Sequence, residues 1–231
     1  MSAGVRSEVA RACHVLAAAG QGDLVWGHAS RRDPDGRGTW MKAAGWGFDE
    51  VTPERVVLVD REGAVVEGDG RRHLEYSIHT EIFAARPDAG AVVHTHASWP
   101  VALAATGMPL RPVSHDATFF GPDGVGLFTA TGDLIVTPEL GRAVAGALGG
   151  GRGVILARHG IVTVGPDLPT AVLGAILLDR ASRTQLRAAA AGPISWSSES
   201  ELRAKQGIWS PAQVEAAWAY LLRHTPPPLD G

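Results

Sequence analysis

Ala91-Val92-Val93-His94-Thr95-His96 is a short apolar run that ends on two histidines. It reads as a buried strand. Side chains alternate across a strand, so His94 and His96 share one face and are in reach of one ion. A second run, Val154-Ile155-Leu156-Ala157-Arg158, leads in the same way into His159-Gly160. Upstream, Glu75 opens a helical pattern that reaches Ala85 and feeds the first run. Three imidazoles and a carboxylate are the ligand set of a catalytic divalent metal with open coordination positions. Imidazole suits zinc, manganese, iron and cobalt, and the carboxylate favours the harder manganese. Zinc or manganese is therefore expected, with iron(II) or cobalt(II) as further candidates.

Working outward, Val5 to Ala17 carry apolar residues at helical spacing, ending near Gly20 and Gly22. Leu24-Val25-Trp26, Thr39-Trp40-Met41, Val56–Val59 and Ala64-Val65-Val66 read as short strands, with Arg31, Arg32 and Lys42 on early loops. A short helix is expected over 99–105 and a loop-rich stretch over 107–135. Thr137-Pro138 is an N-cap followed by proline at the first helical position, and the Gly149–Gly153 cluster ends that helix. Val154–Leu156 and Ile161–Val164 are strands. Asp167 to about Ala191 is a long Ala/Leu-rich helix. Two short helices follow over 198–223, then a frayed Pro226–Pro228 tail. Strands cluster early and helices interleave later. The order predicts an α/β fold, a three-layer α/β/α sandwich around a central mixed, mainly antiparallel sheet.

The chain of 231 residues is 45% hydrophobic and 19% charged, with formal net charge −3. No basic block is present, so neither nucleic acid nor an anionic membrane is an expected partner. No apolar stretch approaches the roughly 20 residues that span a bilayer. One cysteine, Cys13, lies within the first helical pattern, so no internal disulfide is expected and a reducing cytoplasm fits. No signal peptide is expected. Glycine fingerprints for dinucleotides or phosphates are missing.

These residues carry a family resemblance. Glu75-Tyr76-Ser77-Ile78-His79-Thr80-Glu81-Ile82-Phe83, then Arg86-Pro87-Asp88 and Val92-Val93-His94-Thr95-His96, resemble the class II aldolase/adducin-domain family. So do Arg158-His159-Gly160 with Gly165 and the helix through Leu178, Ala181 and Gln185-Leu186, and the loop Trp26-Gly27-His28-Ala29-Ser30. The resemblance covers about residues 5–190. It implies one domain over 1–231, with 192–231 as a C-terminal helical extension. It also implies a homotetramer with active sites at subunit interfaces. By position, His94, His96 and His159 match the family's metal histidines, and Glu75 matches its acid/base, which also touches the metal.

A cation held by neutral histidines keeps most of its charge and stabilises an enolate or enediolate, the anion shared by retro-aldol cleavage and decarboxylation. Sugar-phosphate members carry a Ser-Ser pair before the acidic residue and Asn in the loop. Here those positions are His73-Leu74 and His28. Leu74 donates no hydrogen bond, which argues against a phosphate. Gly-His-x-Ser is the loop pattern of decarboxylating members. The expected substrate is a small carboxylated, non-phosphorylated molecule, a hydroxylated aromatic or heteroaromatic acid. His28, Ser30, Lys42, Arg71 and His73 are the candidate contacts, and Arg72 lies nearby. Trp26, Trp40 and Trp46 are candidates for a flat apolar slot. His115, or less so Asp116, replaces the tyrosine that a neighbouring subunit supplies in sugar-phosphate members. His79, one helical turn after Glu75, is a candidate support. Glu199, Arg203, Lys205 and Trp209 are candidates to cap a neighbour's pocket. The competing readings are an aldolase or 4-epimerase and a non-catalytic adducin-like interaction domain. That last kind of domain loses the histidines retained here.

Overall fold

The computed structural model describes residues 2–226; Pro227 and Pro228 of the expected frayed tail lie outside the described residues. In chain order the elements are α1 (Ser2–Ala18), β1 (His28–Arg32), β2 (Thr39–Lys42), β3 (Val56–Val59), β4 (Val65–Glu67), α2 (Tyr76–Ala85) and β5 (Ala91–Thr95). Then come α3 (Ser98–Ala105), β6 (Gly126–Phe128), α4 (Pro138–Leu148), β7 (Gly153–Leu156), β8 (Gly160–Gly165) and α5 (Leu168–Ala191). α6 (Glu199–Lys205) and α7 (Pro211–His224) complete the series. The caps behave as their chemistry dictates. Thr137 Oγ1 accepts from the Leu140 N–H at 3.3 Å, and Asp167 Oδ1 accepts from the Thr170 N–H at 2.8 Å. Gln185 of α5 pins the loop below it, accepting from the Arg111 N–H and donating to the Pro109 carbonyl.

The strands form one sheet in the order β4-β3-β2-β1-β5-β8-β7-β6, antiparallel throughout except for β6 on β7. Alternation on β5 divides the core. Ala91 and Val93 pack with α1, α5 and α7 on one face. Val92 packs with Ile78 and Ile82 of α2 and Val144 of α4 on the other. Helices on both faces of a mixed, mainly antiparallel sheet give the expected three layers. His94 has the parity of Val92 and emerges on the α2 face. No helix among the described residues is long and apolar enough to cross a membrane.

The first strand differs from expectation. Leu24-Val25-Trp26 is a turn closed by a single bridge from Asp23 to Trp26, with Leu24 at φ +48° and largely exposed. The strand is instead His28–Arg32. Two partners fix it, with Ser30 opposite Met41 of β2 and His28 opposite His94 of β5. Arg31, Arg32 and Lys42 therefore lie on strands, not loops.

Candidate metal centre

β5 delivers His94 and His96 at its C-terminal end. The turn from β7 to β8 delivers His159, with Arg158 before it in the left-handed region at φ +65°. Gly160 follows because a Cβ there would collide with the Thr95 carbonyl and lie 3.2 Å from the His96 ring. Glu75 is the N-cap residue of α2, buried, with its carboxylate among the three rings. One ligand atom from each of these four residues falls within 4.8 Å of the others. Glu75 Oε2 is 3.6 Å from His94 Nε2, and Oε1 is 3.5 Å from His159 Nε2.

Each group is held for this role. His94 Nδ1 faces the Ile161 carbonyl at 2.9 Å and His96 Nδ1 faces Asp23 Oδ2 at 2.8 Å. Those acceptors put the protons on Nδ1 and leave lone pairs on Nε2, aimed at Glu75. Glu75 Oε1 accepts from the Ile135 N–H at 2.7 Å. The Nε2 atoms of His94, His96 and His159 are buried with no hydrogen-bond partner. A buried polar atom without a partner costs about 1–3 kcal/mol, and a cation satisfies all three at once. The donor set thus fits a divalent metal. Burial pushes His94 down to about 3, keeping it neutral as a ligand must be.

The cluster opens into a cleft of about 490 Å³, lined by Trp26, His28, Arg71, His73 and Leu74 beside Glu75 and His96. Gly27, at φ +72°, turns the chain into β1 where a Cβ would press the Phe48 ring. His28 Nε2 lies 3.9 Å from Glu75 Oε2. His73 rests against the His28 ring, 4.5 Å between centroids, with its Nε2 unpartnered. Arg71 is exposed and makes no side-chain hydrogen bond or ion pair among the described residues.

Other candidates are engaged elsewhere. Lys42 is fully buried on β2, donating to the carbonyls of Val25 and Trp46, so it fastens loops rather than lining the cleft. Ser30 is also buried and bonds His79. Arg72 donates to the Gly63 and His73 carbonyls. Arg31 pairs with Glu8, and Arg32 donates to the carbonyls of Phe83, Arg86 and Ala89. Of the proposed tryptophan slot only Trp26 lines the cleft. Trp40 is core, donating to Asp33, and Trp46 stacks under Arg55. His115 lies outside the cluster, stacked on Trp209, and Asp116 pairs with Arg180. Glu199 pairs with Arg203, Lys205 donates to Ser197 and Trp209 donates to Thr118, all within this chain. His79 supports His28 rather than a metal ligand. Asp23 and Ile135 were not foreseen. Asp23 lies 73 positions from His96, and a backbone N–H leaves no mark in a sequence.

Comparison with known proteins identifies the family and the fold. The family described as Class II Aldolase and Adducin N-terminal domain matches residues 7–186. Decarboxylase NovR of Streptomyces niveus is 37% identical over 163 residues, covering 69% of this chain and 60% of that protein, so the chain spans less than two thirds of that relative. The 3,4-dihydroxyphthalate decarboxylase of Terrabacter sp. is 34% identical over 209 residues, covering 83% of this chain and 85% of that one. The solved L-fuculose 1-phosphate aldolase from Glaciozyma antarctica PI12 superposes with a TM-score of 0.84 at 27% identity, covering 96% of this chain and 89% of that one. The chain belongs to the class II aldolase and adducin N-terminal domain family.

Proposed function

We propose that this protein is a divalent-metal-dependent carbon–carbon lyase, a decarboxylase of a hydroxylated aromatic or heteroaromatic carboxylate. The observation that carries this reading is the cluster of unpartnered His94, His96 and His159 nitrogens around Glu75, at the base of a cleft with a free guanidinium on its wall. When bound there, a cation supplies Lewis acidity that stabilises the enolate-like anion left by loss of carbon dioxide. Zinc or manganese suits the ligands.

The chain's own groups do the rest. Arg71 pairs with the substrate carboxylate, and a planar guanidinium matches that group bidentately. Trp26 offers a flat apolar wall to the ring. Leu74 presents no donor where a phosphate would need one. Glu75, with Oε1 held by Ile135, keeps Oε2 free to take a proton from the substrate hydroxyl or return one to carbon. His28 and His73 supply polar contacts beside it. His115 is assigned as a second acid/base acting on a neighbouring subunit's cleft in a homotetramer. The names of the decarboxylase relatives support the choice of reaction. A reducing, cytoplasmic setting suits the single buried Cys13.

The second reading is a class II aldolase or 4-epimerase, favoured by the close superposition on a fuculose-phosphate aldolase. One assay separates the two: carbon dioxide release from a panel of hydroxylated aromatic carboxylates, run beside aldehyde release from sugar phosphates. Carbon dioxide release is expected. Aldehyde release alone would replace the proposal with the aldolase reading.

A further inference from the structure

A line of three side chains runs from the sheet to the cleft. His28 and Ser30, two apart on β1, face α2 together, and His79 of α2 lies between them. Ser30 Oγ is 2.6 Å from His79 Nδ1, and His79 Nε2 is 2.5 Å from His28 Nδ1. All three residues are at most 1% exposed. The far nitrogen of His28, Nε2, lines the cleft 3.9 Å from Glu75 Oε2.

Two neutral imidazoles in series can be protonated in only two consistent ways. In one, the protons run inward: His28 Nδ1–H donates to His79, and His79 Nδ1–H donates to Ser30. The Ser30 proton then has no acceptor among the described residues, and a bare His28 lone pair faces the Glu75 carboxylate. In the other, the protons run outward: Ser30 O–H donates to His79 Nδ1, and His79 Nε2–H donates to His28 Nδ1. Every buried proton on this route finds an acceptor, and His28 presents Nε2–H to the cleft. The inward route strands a buried hydroxyl proton and sets two lone-pair bearers against each other, so the outward route wins.

We propose that Ser30 and His79 are positioning residues that lock His28 in the tautomer with its proton on Nε2, so that the cleft offers a neutral N–H donor to an anionic oxygen of the substrate. His28 then cannot serve as a fourth histidine ligand through Nε2, because that nitrogen carries no lone pair. The choice of a carboxylate as the acceptor rests on the function proposed above; the tautomer does not.

The test is a long-range 15N–1H correlation spectrum of the zinc-loaded protein labelled at histidine, with His28 assigned from its loss in H28N. His28 is expected to carry its proton on Nε2. Ser30→Ala removes the first donor, so His28 should shift to the Nδ1–H form or exchange between forms. His79→Gln keeps an amide donor near the position of Nε2 and should preserve the wild-type tautomer, whereas His79→Leu should lose it. In turnover of a carboxylate substrate, S30A and H79L should raise KM about tenfold with metal content unchanged, and H79Q should recover most of that loss. A wild-type His28 protonated on Nδ1 overturns the proposal, as does an S30A spectrum identical to wild type. The Nε2–H tautomer in a protein that releases no carbon dioxide would sink the decarboxylase reading and leave the relay standing.

Discussion

Asp23 does for His96 what the Ile161 carbonyl does for His94: it accepts from Nδ1–H and leaves the Nε2 lone pair for a cation. Outer partners of this kind are typically worth 10–100-fold in metal affinity. Asp23→Ala should therefore weaken zinc binding by about that factor in a chelator-competition titration, with the fold intact by circular dichroism. Unchanged affinity would remove Asp23 from the account. Cys13 makes the opposite case. It is fully buried in α1, and burial pushes its thiol up to about 12. A thiol reagent should leave it untouched in the native protein and react on denaturation. Fast native labelling would show that α1 opens. The gathering of the four candidate ligands was legible because His-x-His at a strand end is a local signal. Lys42 and Ser30 were misjudged because residue type alone does not say which way a strand turns a side chain.

At the scale of elements, β5 was legible because an unbroken apolar run bounded by glycine and histidine suits a strand covered on both faces. The helix α4 announced itself through Thr137-Pro138, and α5 through its long Ala/Leu-rich run. β1 did not. His28-Ala29-Ser30-Arg31-Arg32 lacks apolar alternation, because its α2 face is filled by the His28–His79–Ser30 line rather than by hydrocarbon. The apolar triplet beside it, Leu24–Trp26, has the composition of a strand, yet Leu24 is exposed and Val25 and Trp26 line the cleft's rim. The β7–β8 turn makes a sharper prediction. Gly160→Ala pushes a methyl group into the Thr95 carbonyl and the His96 ring. Overpacking of this kind costs about 1–3 kcal/mol. Metal content should fall along with stability in urea unfolding, whereas Gly146→Ala on α4, where an added Cβ meets nothing within 4 Å, should leave metal content unchanged. Equal metal content in both variants would contradict the packing argument.

Across the whole molecule, the four candidate ligands come from the N-cap of α2, the end of β5 and the β7–β8 turn, so a bound cation would tie one half of the sheet to a helix. A ligand that binds only the folded state stabilises it by about 2.7 kcal/mol at a hundredfold excess over its Kd. For a chain of this size that is roughly 5–10 °C in melting temperature. Chelation should lower the melting temperature of the wild-type protein by about that much and leave His94→Ala unmoved. This layout was only partly legible. Sequence spacing picked out the four residues that the fold gathers, but not that Ile135, Ile161 and Asp23 would fix their angles, since those contacts cross 60 to 73 positions.

All of these outcomes depend on Glu75, His94, His96 and His159 forming a working metal site. Its most direct test is elemental analysis of the purified protein and of His94→Ala, each assayed for turnover in the same preparation. Stoichiometric divalent metal with activity in the wild type, and loss of both in the variant, is the predicted result. A His94→Ala protein that is free of metal and fully active would contradict it.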